Sequence, residues 1–509
     1  MTYQSKRQWF MLTDSFHDMI YSINFERKEK MKISVNRSEK LGKYHDITRW
    51  QNSTLRYSPP EDFPEHMAKE IGRAKIMRTW ITLDEYYDYR TGEFYPDYDI
   101  GVARYPIEEL HYPYDWSTIV PAPSGTRFVA YLTSHAKQAD EVLLNVRRFE
   151  REVSDGIITY EEYERIFEKA VEYCKELAPN IRYIECCNEI EVRPFGQLSA
   201  EEYVKIYLCA HRAIKRLNEK HSYEIPLELG GFAAAKPIQT WALMHDVVKG
   251  LKAEGIEMDF YSYHFYALSA TIGLVGSKKY DEAKLSPVEK LRHLTALHND
   301  MLHEFDLPKK KVFLNEVGYS RTTGVDGDAI YNAAGLISLL IFFACGDEPE
   351  MYPFPWCTFH NPDLQISFTQ FLLREDGSYA MTPNGVAIKM LHNLKGEKLG
   401  VSVSEALSRD GDYCALAVED EEGISVLCVN ASGESIFGEL EIAGMPAGAH
   451  TVRRFLCDSS HNNCVTGKKC NGKSIEQTSE ACCETRADGT LKHIFALEKF
   501  SFLLFRIDF

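Results

Sequence analysis

Two glutamates, Glu189 and Glu316, each follow an asparagine, and each pair closes a short apolar run. Ile181-Arg182-Tyr183-Ile184-Glu185-Cys186-Cys187 leads into Asn188-Glu189, and Val312-Phe313-Leu314 into Asn315-Glu316. A carboxylate at the carboxyl end of a buried strand is costly to keep charged, so two in the same setting imply shared work as acid, base or nucleophile. Glycoside hydrolysis needs such a pair. One carboxylic acid protonates the leaving oxygen while a carboxylate faces the anomeric carbon of an oxocarbenium-like transition state. At a separation of about 5 Å the reaction runs through a covalent glycosyl-enzyme and retains configuration. A lone strand-end glutamate is more often a salt-bridge partner, and it is the pairing that carries the reading.

Such a pair needs a scaffold that brings strand ends together. From about residue 46 to about 395, β-branched or aromatic runs alternate with amphipathic ones. The pattern predicts strands over 76–81, 141–147, 181–187, 226–232, 258–263, 311–314 and 351–356, and helices over 160–177, 200–217, 238–253, 287–305 and 328–343. Strand and helix in strict alternation imply a parallel sheet. Roughly 130 residues separate the two glutamates, three strand–helix units of about 42 residues, near the unit length of a (β/α)8 TIM barrel. Glu189 then ends the fourth strand and Glu316 the seventh. Ser199 before Glu201-Glu202 and Thr159 before Glu161-Glu162 read as helix N-caps, and Thr382-Pro383 opens the last barrel helix. Beyond Leu394 the spacing turns to alternating segments between acidic or glycine turns, as in an accessory β-sandwich. Runs at 8–12, 19–25 and 31–35 also read as strands and are expected to join it. The expected domains are therefore 1–45 with the sandwich, 46–395 as the catalytic barrel and 396–509 as the sandwich itself.

Composition bounds the partners. The chain has 509 residues with 44% hydrophobic content, enough for a large core, and 58 basic against 75 acidic residues give a formal net charge of −17. That surface repels a phosphate backbone, which excludes nucleic acid as a general partner. The first thirty residues carry no secretory pattern, and the longest apolar stretch, around Ala333 to Cys345, is too short to span a bilayer; a cytoplasmic protein without a membrane partner is expected. The 13 cysteines show no framework spacing, which fits reduced thiols. Cys457, His461, Cys464, Cys470, Cys482 and Cys483 lack a paired Cys-x-x-Cys knuckle, so no metal site is assigned to them.

In order along the chain, Met77-Arg78-Thr79, Asn188-Glu189, Asp259-Phe260-Tyr261-Ser262-Tyr263-His264-Phe265-Tyr266, Glu316 and Trp356 match a pattern. The chain resembles the retaining glycosidases of clan A. Their pattern has an arginine on strand two, Asn-Glu after strand four, His and Tyr after strand six, a nucleophilic Glu after strand seven and a Trp after strand eight. Within the clan it is most similar to glycoside hydrolase family 39, the β-xylosidase and α-L-iduronidase group, through the strand-six motif and the stretch Arg453 to Asn463. It departs from that family at Cys187-Asn188-Glu189-Ile190 in place of Trp-Asn-Glu-Pro, at Asn315-Glu316-Val317 in place of Thr-Glu-Trp, and at Thr79-Trp80, where a histidine is usual.

The resemblance implies Glu189 as acid/base and Glu316 as nucleophile, without a cofactor or metal. The Glu189 carboxyl is expected to hold its proton while Glu316 is anionic and to release it once sugar caps that charge. Substrate-site expectations are Arg78 as counter-charge to Glu316, Asn188 as donor to the sugar 2-hydroxyl, His264, Tyr266 orienting Glu316, Trp356 as a stacking floor and Asn145 from the third strand. The aromatic-rich connection from Asp84 to Asp140 reads equally as a lid over the mouth or as a subdomain stapled by its own rings. The expected activity is exo-acting hydrolysis of terminal sugars from oligosaccharides, with a β-xyloside as first substrate. The alternatives are an α-L-arabinosidase, a uronic-acid glycosidase using Arg147, Arg193 or Lys236, or a non-hydrolytic carbohydrate-binding or transglycosylating barrel. Self-association is compatible with the resemblance.

Overall fold

The computed structural model describes residues 31–53, 57–100, 126–192, 195–268, 286–320, 328–346, 351–360, 368–404, 412–465 and 475–509. The predicted runs at 8–12 and 19–25 lie outside them, as do Arg193, Cys470 and the stretch 101–125 of the aromatic connection.

An eight-stranded parallel sheet forms the barrel, with every strand next to its sequence neighbours. Strands one to eight are Trp50–Asn52, Ala74–Thr82, Ala139–Arg147, Ile181–Cys186, Glu228–Ala234, Phe260–Leu268, Lys311–Ser320 and Met351–Pro355. The first and last strands meet: the Trp50 and Tyr352 rings lie 4.8 Å apart, and Asn52 Nδ2 donates to the Phe354 carbonyl at 3.0 Å. A helix follows each strand, in turn Phe63–Ile71, Phe128–Lys137, Tyr160–Leu177, Ala200–His221, Trp241–Ala253, Pro287–Glu304, Asp328–Cys345 and Pro383–His392. This is the (β/α)8 TIM barrel.

Local chemistry sets these boundaries. Thr159 caps its helix by accepting from Glu162 N at 3.1 Å. Ser199 and Glu202 form a reciprocal capping box, as do Ser286 and Glu289, each satisfying two orphan backbone donors. The helix Tyr160–Leu177 buries Tyr163, Ile166, Phe167, Ala170, Val171 and Cys174, the stripe that a 3.6-residue period turns toward the sheet.

Three differences from the sequence-based boundaries bear on the site. Strand one is only three residues long and mostly polar, so it carries no hydrophobic signature. Strands six and seven run on to Leu268 and Ser320, past the expected ends at 263 and 314, so Glu316 lies within its strand. There the inward positions turn polar while the backbone pairing continues, Glu316 with His264 and Gly318 with Tyr266.

The accessory domain is a nine-stranded sheet bent over a single core of Ile33, Leu399, Val426, Leu440, Phe495 and Phe505, among others. Its edge strands Ser479–Glu484 and Thr490–Leu497 approach each other, Cys483 Sγ lying 3.3 Å from His493 Nδ1. The strand Met31–Lys43 lies inside this sheet, parallel to Ile436–Ala443 and antiparallel to Glu397–Val403. The very apolar helix Asp328–Cys345 packs between barrel and sheet, with the Tyr331 and Phe500 rings 4.7 Å apart. Among the described residues no helix is long and apolar enough to cross a membrane.

Candidate active site

Strand four ends at Cys186, and the chain then turns through two left-handed residues, Cys187 at φ 67° and Glu189 at φ 47°. Non-glycine residues adopt this region at a cost of order 1–3 kcal/mol, and it persists only where the surroundings over-determine it. They do so here: Cys187 N donates to Val146 O and Glu189 N to Ala233 O, both at 2.9 Å, and Asn145 Nδ2 donates to Cys187 O at 2.6 Å. Strands three and five thus clamp the turn that aims Glu189.

Glu189 and Glu316 converge. His264 Nδ1 lies 3.0 Å from Glu189 Oε1 and 3.5 Å from Glu316 Oε2. Ligand-type atoms of Glu189, His264 and Glu316 all lie within 4.8 Å of one another. Among the described residues no other group of histidine, cysteine and acidic side chains gathers this closely, so a cation binding here would compete with use of the two carboxylates. Both glutamates are nearly buried, at 5% and 4% exposure.

Glu316 is held from two sides. Arg78 Nη1 donates to its Oε1 at 3.0 Å and the Tyr266 hydroxyl to its Oε2 at 2.8 Å. Tyr266 reaches it across Gly318, whose added Cβ would stand 2.8 Å from the Tyr266 ring; only a glycine there lets the ring lie against strand seven. Asn188 Oδ1 accepts from Arg78 Nη2 at 2.7 Å, which fixes the orientation of its amide and leaves Nδ2 as a donor without a partner among the described residues.

Beneath these residues lies a carboxylate that the sequence reading did not assign. Glu185 accepts from Arg78 Nε at 3.0 Å, Arg78 Nη2 at 2.8 Å and Asn145 Nδ2 at 2.7 Å, all on Oε2, while Asn315 Nδ2 donates to Oε1. Asn52 Nδ2 in turn donates to Asn315 O at 2.8 Å. Burial lowers the proton affinity of the Arg78 guanidinium, but the charges of Glu185 and Glu316 outweigh it and hold that group above its usual range. The sequence signal for Glu185 is a charged residue inside the apolar run of strand four, two positions from Tyr183 and so on the same face.

Asn145 is corrected as a substrate contact: it has no exposed surface, and its amide nitrogen is spent on Glu185 and Cys187 O, so it braces the floor. Arg78 is likewise fully buried and acts from below. Trp356 stands half-buried at the mouth, edge-to-face with Trp80 at 5.5 Å. Trp80 therefore occupies this wall directly, and the Arg147 guanidinium lies 5.6 Å from its ring. Two residues past Glu189, burial pushes the Glu191 carboxyl up to about 7; backbone donors, including Lys236 N at 2.8 Å, oppose the rise and the neighbouring Glu189 adds to it. The described part of the aromatic connection packs inward, with Tyr86 against Phe94 and Tyr173, and Tyr98 stacked on Phe128 at 4.8 Å.

No protein-family model matches the chain, and no curated protein matches it in sequence. Solved structures do match in fold. A glucosidase from Croceicoccus marinus superposes with a TM-score of 0.61 at 15% identity, covering 95% of this chain and 100% of that one. A glycoside hydrolase family 39 enzyme from Xanthomonas axonopodis pv. citri gives 0.59 at 14% identity, covering 94% and 97%. A monomeric β-xylosidase from Caulobacter crescentus CB15 gives 0.58 at 13%, covering 94% and 99%. The likeness covers 94–95% of this chain, barrel and accessory sheet together, and shows a shared fold.

Proposed function

We propose that this protein is a retaining glycoside hydrolase of clan A, most similar to family 39, that removes terminal sugars from oligosaccharides, with a β-xyloside as first substrate. One observation carries the reading: an oxygen of Glu189 and an oxygen of Glu316 lie within 4.8 Å of each other, on either side of His264. That spacing suits direct attack by one carboxylate and leaves no room for a water between them, which inversion requires.

In the first step Glu316 attacks the anomeric carbon, the bond to the leaving oxygen breaks, and the Glu189 proton moves to that oxygen. In the second, water attacks the same carbon, gives its proton to Glu189, and the sugar–Glu316 ester bond breaks. Arg78 and Tyr266 hold Glu316 in line, His264 orients Glu189, and the Asn188 amide is directed to the sugar 2-hydroxyl, a contact that strengthens in the transition state. Trp356 offers the sugar a stacking face. In this reading the barrel at 46–395 carries the whole catalytic set, and 1–45 with 396–509 form the accessory domain.

A panel of nitrophenyl glycosides, followed by NMR of the first-formed anomer, tests the proposal. It predicts retained configuration. Glu316→Ala should lose turnover and regain it with azide as the inverted glycosyl azide, while azide rescue of Glu189→Ala should give the retained product. Full activity in either variant contradicts the assignment. Sugar binding without hydrolysis would instead support a carbohydrate-binding barrel.

A further inference from the structure

Glu185 has no exposed surface, and both of its oxygens are occupied by Arg78, Asn145 and Asn315. It therefore cannot touch substrate. What it does touch is the counter-charge of Glu316. Arg78 turns its Nε–Nη2 edge to Glu185 and reaches Glu316 through Nη1 alone. Two carboxylates thus share one guanidinium.

We propose that Glu185 is a positioning residue that tempers the nucleophile: by occupying one edge of Arg78 it confines Glu316 to a single charge-assisted hydrogen bond from that group. This inference rests on the glycosidase reading of the site. A carboxylate facing an undivided guanidinium is a poorer nucleophile and a better leaving group. Forming the glycosyl-enzyme needs a good nucleophile in Glu316 and breaking it needs a good leaving group, so the division of Arg78 balances the two steps. Among the described residues, the ionisable groups around this cluster include Arg78 on strand two, Glu189 and Glu191 after strand four, Tyr203 on the helix Ala200–His221, His264 and Tyr266 on strand six, Glu316 on strand seven and Cys357 after strand eight. Arg78 is the cation that bridges Glu185 to Glu316.

The test is Glu185→Gln, which keeps the shape and an acceptor for Arg78 but removes the charge. Carbon-13 titration of the Glu316 carboxyl should move to lower pH by about one unit. Stopped-flow kinetics with a dinitrophenyl glycoside should show glycosylation slowed roughly three- to tenfold while deglycosylation is maintained or faster. An unmoved Glu316 titration, or equal slowing of both steps, overturns the proposal and leaves Glu185 as a structural brace. Should Glu185→Gln fail to fold, Glu185→Asp retains the charge one methylene back: a Glu316 titration at the wild-type position supports the proposal, and a downward shift overturns it. The titration needs no substrate. A shifted titration with no glycoside cleaved by the wild type would count against the proposed function alone.

Discussion

One pleat repeat, about 6.6 Å along a strand, separates two layers inside this barrel that do opposite work. The lower layer is apolar: Trp50, Ile76, Leu143, Tyr183, Phe260, Phe313 and Phe354 pack as one cluster, with Tyr183 edge-to-face on Phe260 at 5.5 Å and on Phe313 at 5.1 Å. Two residues further along the same strands stand Asn52, Arg78, Asn145, Glu185, Ser262 and Asn315, all essentially without exposure. The lower layer stabilises by area removed from water and by ring packing, contributions that fail gradually and locally. The upper layer is a set of buried charges and amides, each of which needs the others, because a carboxylate deprived of its cation in this setting is an uncompensated charge. The fold thus places its least forgiving interactions directly under Glu189 and Glu316 and a tolerant apolar plug beneath them.

The largest effect that separates the layers is expected from Arg78→Met. It strands Glu185 and frees Glu316, so unfolding in urea should show a loss of about 3–5 kcal/mol, and the folded fraction should be inactive. Phe313→Ala, two residues from Asn315, should cost a similar ~3–5 kcal/mol through the cavity it leaves, yet the folded fraction should keep its KM and most of its kcat. If the two variants gave the same activity loss per folded molecule, the contrast between the layers would fail.

Outside the barrel wall, burial lowers two histidines, His135 and His298, to about 4. Each is neutral in the fold and titrates near 6.5 once unfolded. The stability they carry is therefore complete above about pH 6.5 and is lost as pH falls toward 4, by roughly 2–3 kcal/mol each. A urea midpoint measured against pH should fall over that window, and His298→Gln should flatten part of the fall. The smallest effect is expected from Gly318→Ala, whose new methyl displaces the Tyr266 ring from strand seven. A shift of this size at a positioning group should lower kcat by roughly 10- to 100-fold with little change in KM.

The sequence made the strand–helix alternation legible because the lower layer and the outer helices keep their hydrophobic periods: the helix Tyr160–Leu177 begins and ends where its pattern and its Thr159 cap indicate. What it hid was the upper layer. Strands six and seven continue past Tyr263 and Leu314 through inward residues that are polar because the site requires it, so the apolar pattern stops before the hydrogen-bond ladder does. Strand one, Trp50–Asn52, is too short for any period to register. Glu189, Glu316, Arg78, His264 and Tyr266 were accessible as a spaced motif, and the structure brings them together. Glu185 and Asn315 stand in or at the end of the apolar runs that lead to the two glutamates, but a buried ion network shows only when several strands are superposed in register. Asn145 was expected to reach the substrate from the third strand, yet its amide is turned to Glu185, a neighbour the linear sequence gave no reason to weigh.

The most direct measurement of the central claim is the site of covalent labelling by activated 2-deoxy-2-fluoro glycosides, tried as xyloside, glucoside and arabinoside and read by peptide mass mapping. A single sugar adduct on Glu316 is expected, accumulating in wild type and absent from Glu316→Ala. An adduct on Glu189 or on any other side chain, or turnover of the parent glycosides with inversion and no adduct, would contradict it.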